Sequence, residues 1–202
     1  MSELSLIFIR HGEASGNWGE HPDPGLSENG VSQSQKLISN HSLQLLEDFI
    51  FVSSPMSRAQ MTAAPLIKKY KKSLLIDSIF SEIPSSKVIA SEKREWLKKI
   101  MTMNVDVLPQ DVAEWRNRII SRTLGFSDNT IIFSHFMVIN AVVSGLMNRP
   151  EIMYFYPDYT SITKITLQNN KAVNISLISE STTSSDHSQI PLSLSVFISD
   201  GV

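Results

Sequence analysis

The chain has no cysteine. That absence removes disulfide frameworks, thiolate metal sites and thiol nucleophiles together, and it fits a protein that needs no oxidising compartment, so a cytoplasmic location is expected. Excess charge is missing too: 18 basic residues face 20 acidic ones, for a formal net charge of -2, and no long like-charge block occurs. Nucleic acid is therefore not an expected partner. Nor is there a long apolar run near the start. Residues 6–9 are too few, and have the wrong flanks, for a signal peptide or membrane span, so no membrane partner is expected.

What remains is a 202-residue chain, 42% hydrophobic and 19% charged, which fits one globular domain with one sizeable core. Residues 4–9 are apolar, rich in Ile and Phe, and stop at Arg10-His11-Gly12, as a buried strand ending in a loop does. Short apolar runs at 49–52, 74–76 and 130–133 alternate with stretches of helical pattern. That alternation predicts an α/β fold, a three-layer α/β/α sandwich with a mostly parallel central sheet.

Ser54-Pro55 reads as an N-cap followed by proline at the first helical position, which projects Arg58 from the first turn. Pro65 is expected to kink or end that helix. Val112, Trp115 and Ile119 predict an amphipathic helix over 110–124, and the apolar stretch 137–147 predicts a helix buried against the sheet. Alternation on either side of Asn169-Asn170 predicts a hairpin, an antiparallel edge. Residues 179–188 hold five serines and two threonines, the composition of a solvated linker. From 192 to 198 a period of two returns, so residues 180–202 read as a Ser-rich segment plus a strand-like extension. Such a strand admits pairing with a second copy, a homodimer.

Five residues sit where an apolar run ends or the next helix begins: Arg10, His11, Arg58, Glu82 and His135. Open α/β sheets bind ligands at the carboxyl ends of their strands. Two guanidinium forks there match phosphate oxygens bidentately and stay charged at working pH, which makes a small phosphorylated molecule the expected partner. Phosphoryl transfer needs a nucleophile, neutralised equatorial charge and a proton for the leaving oxygen. His11 can attack through its neutral imidazole, because nearby Arg10 and Arg58 disfavour the imidazolium. His135 can donate to a phosphoryl oxygen. Glu82 can protonate the leaving alkoxide and then activate water. Two histidines and a carboxylate can also ligate zinc, but two arginines repel a cation at that spot, so neither metal nor cofactor is expected.

The ordered motifs resemble the histidine phosphatase superfamily, also called phosphoglycerate mutase-like. Arg10-His11-Gly12-Glu13-Ala14 is similar to its opening signature. The stretch from Ser53 through Arg58-Ala59 to Thr62-Ala63 is similar to its second arginine motif, and Ser134-His135 to its second histidine. The resemblance spans about residues 6–167 and implies the phosphoglycerate mutase-like fold, with His11, Glu82 and His135 catalytic. It also implies that Arg10, Arg58 and Asn17 contact phosphate.

Two departures matter. Phe136 stands where the family usually has glycine, which narrows the pocket or adds an apolar substrate contact. Glu82 is followed by Ile83-Pro84-Ser85-Ser86 and lacks the Gly-x-Trp-Glu-Gly run of many relatives. The Glu-Arg-x-Tyr-Gly stretch of cofactor-dependent mutases is absent as well, favouring a phosphatase over a mutase; a catalytically weak phosphate-binding or interaction domain stays the alternative that is not an enzyme. Lys98 and Lys99, in a basic helix beside Trp96 and Leu97, are a candidate anion-attracting lid.

Overall fold

Alternate residues of β1 (Leu4–Arg10) enter two different cores, Leu6 and Phe8 on one face and Ile7 and Ile9 on the other. A strand apolar on both faces has to be covered on both. The computed structural model describes residues 3–16 and 21–178, together with the backbone of 193–197. In chain order the elements are β1, α1 (Glu28–Lys36), β2 (Ile50–Ser53), α2 (Ser57–Tyr70), β3 (Leu74–Ile76), α3 (Lys93–Met101), α4 (Gln110–Leu124), β4 (Thr130–Ser134), α5 (Phe136–Leu146), β5 (Ile162–Gln168), β6 (Lys171–Ile178) and β7 (Ser193–Phe197).

Seven described strands form one sheet in the order β3-β2-β4-β1-β5-β6-β7. The first four are mutually parallel, and β5, β6 and β7 continue the sheet by antiparallel pairing. Ala59, Ala63 and Leu66 of α2 pack on one face with Ile7, Phe51 and Phe133. Trp115 and Ile119 of α4 and Val138 and Val142 of α5 pack on the other with Phe8, Val52 and Ile132. The result is the α/β/α sandwich expected from the sequence.

The β5–β6 hairpin turns on Asn169 and Asn170, at φ 50° and 59°, the paired positive dihedrals of a two-residue turn matched to strand twist. β7 pairs with β6 of its own chain, Ile175 facing Val196 in register. The Ser-rich stretch, residues 179–188, lies outside the described residues. Among those described, no helix is long and apolar enough to cross a membrane.

Two local expectations are corrected. α2 begins at Ser57, two residues after Pro55, with Met56 at the cap position and no side-chain cap of its own. The Ser54 hydroxyl is instead turned to His135, while Asp23, from a loop 34 positions earlier, accepts from Ser57 N at 2.9 Å and from Ser57 Oγ at 2.6 Å. And α2 runs through Pro65 to Tyr70. Proline removes one helical rung, but Ala59, Ala63 and Leu66 are completely buried on either side of it, and that packing carries the helix onward.

Candidate active site

The site forms where β1, β2 and β4 end. Arg10 is in register with Ser134, and Ser53 with Phe133. The ladder then continues one step beyond the strands, with His11 N donating to Ser134 O at 2.9 Å and Ser54 N to Phe133 O at 3.0 Å. Register alone therefore brings Arg10, His11, Ser54 and His135 into one layer. Arg58 enters from the first turn of α2.

Hydrogen bonds assign the tautomer of the buried His11. Its Nδ1 lies 2.7 Å from Gly12 O, which can only accept, and its Nε2 lies 3.1 Å from Arg58 Nε, which can only donate. Nδ1 thus carries the proton and Nε2 the lone pair. Arg58 Nη2 also reaches His135 Nδ1 at 3.3 Å, so His135 presents its Nε2 proton to Ser54 Oγ, 2.7 Å away. One guanidinium joins two neutral imidazoles whose centroids are 5.2 Å apart. Burial first, and Arg58 second, push the His11 pKa down to about 3. Burial, His11 and Arg58 likewise hold His135 well below the usual histidine range.

Arg10 lies under an aromatic cover. Its guanidinium sits 4.1 Å from the Tyr159 ring centroid and 5.2 Å from that of Phe136, and Nη1 donates to Pro157 O at 2.8 Å. Its Nε is buried with no hydrogen-bond partner. Burial lowers the pKa of both Arg10 and Arg58, the response of two desolvated cations awaiting an anion. Phe136 and Met137, the first two residues of α5, line the same cavity, so a helix N-terminus, which favours negative charge, borders it.

Glu82 borders this group. Burial raises its carboxyl above the usual carboxylate range, against the Ile83 amide, which donates to Oε1 at 3.0 Å, and against the pull of Arg58 and Arg10. The loop is pinned on both sides of its chain. Phe80 O accepts from Ser134 Oγ at 2.9 Å and Ser81 O from Trp115 Nε1 at 3.0 Å, while the Phe80 ring is fully buried. Glu82 therefore reaches the site without the Gly-x-Trp-Glu-Gly run.

Two glycines allow the His11 loop its close approach. A Cβ on Gly12 would stand 2.8 Å from Gly30 O, and one on Gly30 would stand 2.1 Å from Glu13 O. Thr62 Oγ1 accepts from Gly12 N at 3.0 Å and donates to Arg58 O at 2.7 Å, tying this loop to α2.

The structure thus brings Arg10, His11, Arg58, Glu82 and Phe136 to the wall of one cavity of about 750 Å³, with the fully buried His135 joined to them through Arg58. Asn17 lies outside the described residues. Lys98 and Lys99 do not line the cavity. α3 instead turns Lys93, Leu97 and Met101 towards it, and Lys98 forms an exposed pair with Glu95 at 2.7 Å. His21 is exposed and borders the cavity. Ser54, Tyr156 and Tyr159 are site neighbours that the sequence reading did not single out for the pocket. Ser54 reads as a cap until its partner 81 positions away is known, and no motif marks the tyrosines.

A mostly parallel sheet whose strand ends, with the first turn of α2, bring two arginines and two histidines together defines an α/β protein with a basic, desolvated cavity. The chain belongs to the histidine phosphatase superfamily, branch 1, whose family model matches residues 6–178. Its fold is similar to that of a phosphoserine phosphatase from Entamoeba histolytica solved with 3-phosphoglyceric acid, at TM-score 0.67 and 23% identity, covering 89% of this chain and 98% of that one. It is similar to a mycobacterial glucosyl-3-phosphoglycerate phosphatase at TM-score 0.58 and 18% identity, covering 82% and 91%. A third match, a putative α-ribazole-5′-phosphate phosphatase from Escherichia coli K-12, has TM-score 0.63 and 20% identity, covering 84% and 93%. Comparison with curated protein sequences returned no match.

Proposed function

We propose that the protein is a metal-independent phosphomonoesterase that hydrolyses a small phosphorylated metabolite through a phosphohistidine on His11. The observation that carries the reading is the fixed tautomer of His11, with Nδ1–H held by Gly12 O and the Nε2 lone pair directed at the Arg58 guanidinium. An incoming phosphoryl group takes over Arg58 and Arg10, and its phosphorus comes to face Nε2. Nε2 attacks, the bond from phosphorus to the ester oxygen breaks, and the Glu82 proton passes to the departing alkoxide. Water then attacks the phosphohistidine, Glu82 recovers the proton, and phosphate leaves with His11 neutral again. The dianion between the arginines reverses the field at His135, which gains a proton and donates to a phosphoryl oxygen.

Family membership and the likeness in fold to phosphatases of known structure support hydrolysis. The reading without metal rests on Arg58, whose guanidinium stands between the two histidines where a cation would have to sit. The test is phosphate release from an aryl phosphate in the presence of a chelator. Release should persist for the wild type and vanish in His11→Ala. Dependence on added metal, or transfer of phosphate to a second hydroxyl in place of water, overturns the reading.

A further inference from the structure

We infer that the preferred substrates are phosphomonoesters whose leaving group presents an apolar or aromatic face, selected by the apolar wall that Phe136, Tyr156, Leu97 and Met101 give the cavity. This rests on the phosphatase reading above and names the substrate class for the same site.

The cavity, about 750 Å³, is far larger than one phosphoryl group and falls in the range of pockets that enclose a whole small molecule, roughly 300–1,000 Å³. Its lining is of two kinds. Arg10, His11, Arg58 and Glu82 are the charged group that the proposed function assigns to phosphate. Phe136, whose ring lies 5.2 Å from the Arg10 guanidinium, packs edge-on against Tyr156, with centroids 4.7 Å apart and planes at 63°. Tyr156 is 62% exposed and Tyr159 39% exposed, large ring surfaces left open to solvent at a cavity wall. Leu97 and Met101, one helical turn apart on α3, also line the cavity, and Met56 does so at the entry to α2.

The wall is held in place before anything binds. The buried Asn140 accepts from the amides of Tyr154 and Phe155 at 2.8 and 3.1 Å, and its Nδ2 donates to Phe136 O at 3.2 Å. The loop carrying Tyr156 and Tyr159 is thereby fastened to the helix that carries Phe136. Pre-positioned rings lose little freedom when a ligand covers them.

Charge argues the same way. Besides Arg10 and Arg58, Lys93 is the one lysine or arginine among the described residues that line the cavity, and Glu13 and Glu82 line it as well. A leaving group bearing its own carboxylate finds no guanidinium fork beyond those two among the described lining residues.

The test compares two esters of primary alcohols, 2-phenylethyl phosphate and glycerol 3-phosphate, so that leaving-group reactivity is similar, with 3-phosphoglycerate as a third. Wild type should prefer the phenylethyl ester by at least ~10-fold in kcat/KM. Tyr156→Ala should shrink that ratio several-fold, chiefly through KM, and Tyr156→Phe should keep it. Tyr156 is largely exposed, so neither variant removes core packing. Turnover of all three esters without preference, a preference for 3-phosphoglycerate, or a ratio unmoved by Tyr156→Ala overturns this inference alone. Absence of turnover on every ester, with no phosphate on His11, overturns the phosphatase reading and this inference with it.

Discussion

Arg58 donates its Nε hydrogen to His11 Nε2 across 3.1 Å, and so occupies the lone pair that attacks phosphorus in the proposed mechanism. The same contact keeps His11 neutral, and in that mechanism Arg58 exchanges it for a phosphoryl oxygen.

Arg58→Ala should therefore do two things. The His11 pKa, now about 3, should rise, yet stay below the ordinary 6.5, because burial is the larger cause and remains. Turnover should fall by ~10²–10³ through lost charge stabilisation. Arg58→Lys should recover little of it, since an ammonium lacks the fork that reaches both imidazoles. Histidine NMR titration and steady-state kinetics read the two effects.

Glu82→Gln should cost ~10²–10⁴ in turnover of alkyl phosphates, the range of general acid catalysis. With 2,4-dinitrophenyl phosphate the leaving phenolate needs no proton, so the first step should be nearly spared and a burst of phenolate should appear before a slow steady state. The raised Glu82 pKa also predicts that alkyl ester turnover declines as pH climbs through it while the burst does not. Equal losses for both esters would remove Glu82 from the donor role.

Stability should fall on the acid side. For His11 the folded pKa lies below the unfolded one, so between about 3 and 6.5 the unfolded chain binds more protons and stability rises with pH. His135 acts in the same sense and Glu82 in the opposite one, because its folded pKa is raised. From pH 7 to pH 4.5 the His11 contribution corresponds to roughly 5–10 °C in Tm. His11→Gln should therefore lose less Tm over that interval than wild type does, as calorimetry at both pH values can measure.

Much of this was legible in the sequence because it is local. The strand runs, the 110–124 helix and the Asn169-Asn170 turn follow from patterns within a few residues, and Arg10, His11, Arg58, Glu82 and His135 each follow an apolar run or open a helix. What was not legible depends on partners far along the chain. Ser54 has the grammar of a cap, but His135 claims its hydroxyl and Asp23 caps α2 instead. Pro65 breaks helices by local rules, and buried Ala59, Ala63 and Leu66 override them. Lys98 and Lys99 look like a lid by composition, whereas the rotation of α3 turns Lys93, Leu97 and Met101 inward.

Gly30→Ala tests how tightly the His11 loop is held. The new methyl would meet the Glu13 carbonyl, a backbone atom that cannot swing aside. The loop must move and carry the Gly12 carbonyl off His11 Nδ1. Expected costs are about 2 kcal/mol of stability in urea unfolding, as for overpacking elsewhere, and a fall in kcat larger than any change in KM.

The most direct measurement is of the covalent intermediate. Wild type mixed with a radiolabelled aryl phosphate and quenched in alkali within the first turnover should carry label that survives alkali, is lost in mild acid, and maps by peptide analysis to His11. Glu82→Gln should accumulate more of it and His11→Ala none. Phosphate release without labelled His11, or turnover preserved in His11→Ala, would contradict the account at its centre.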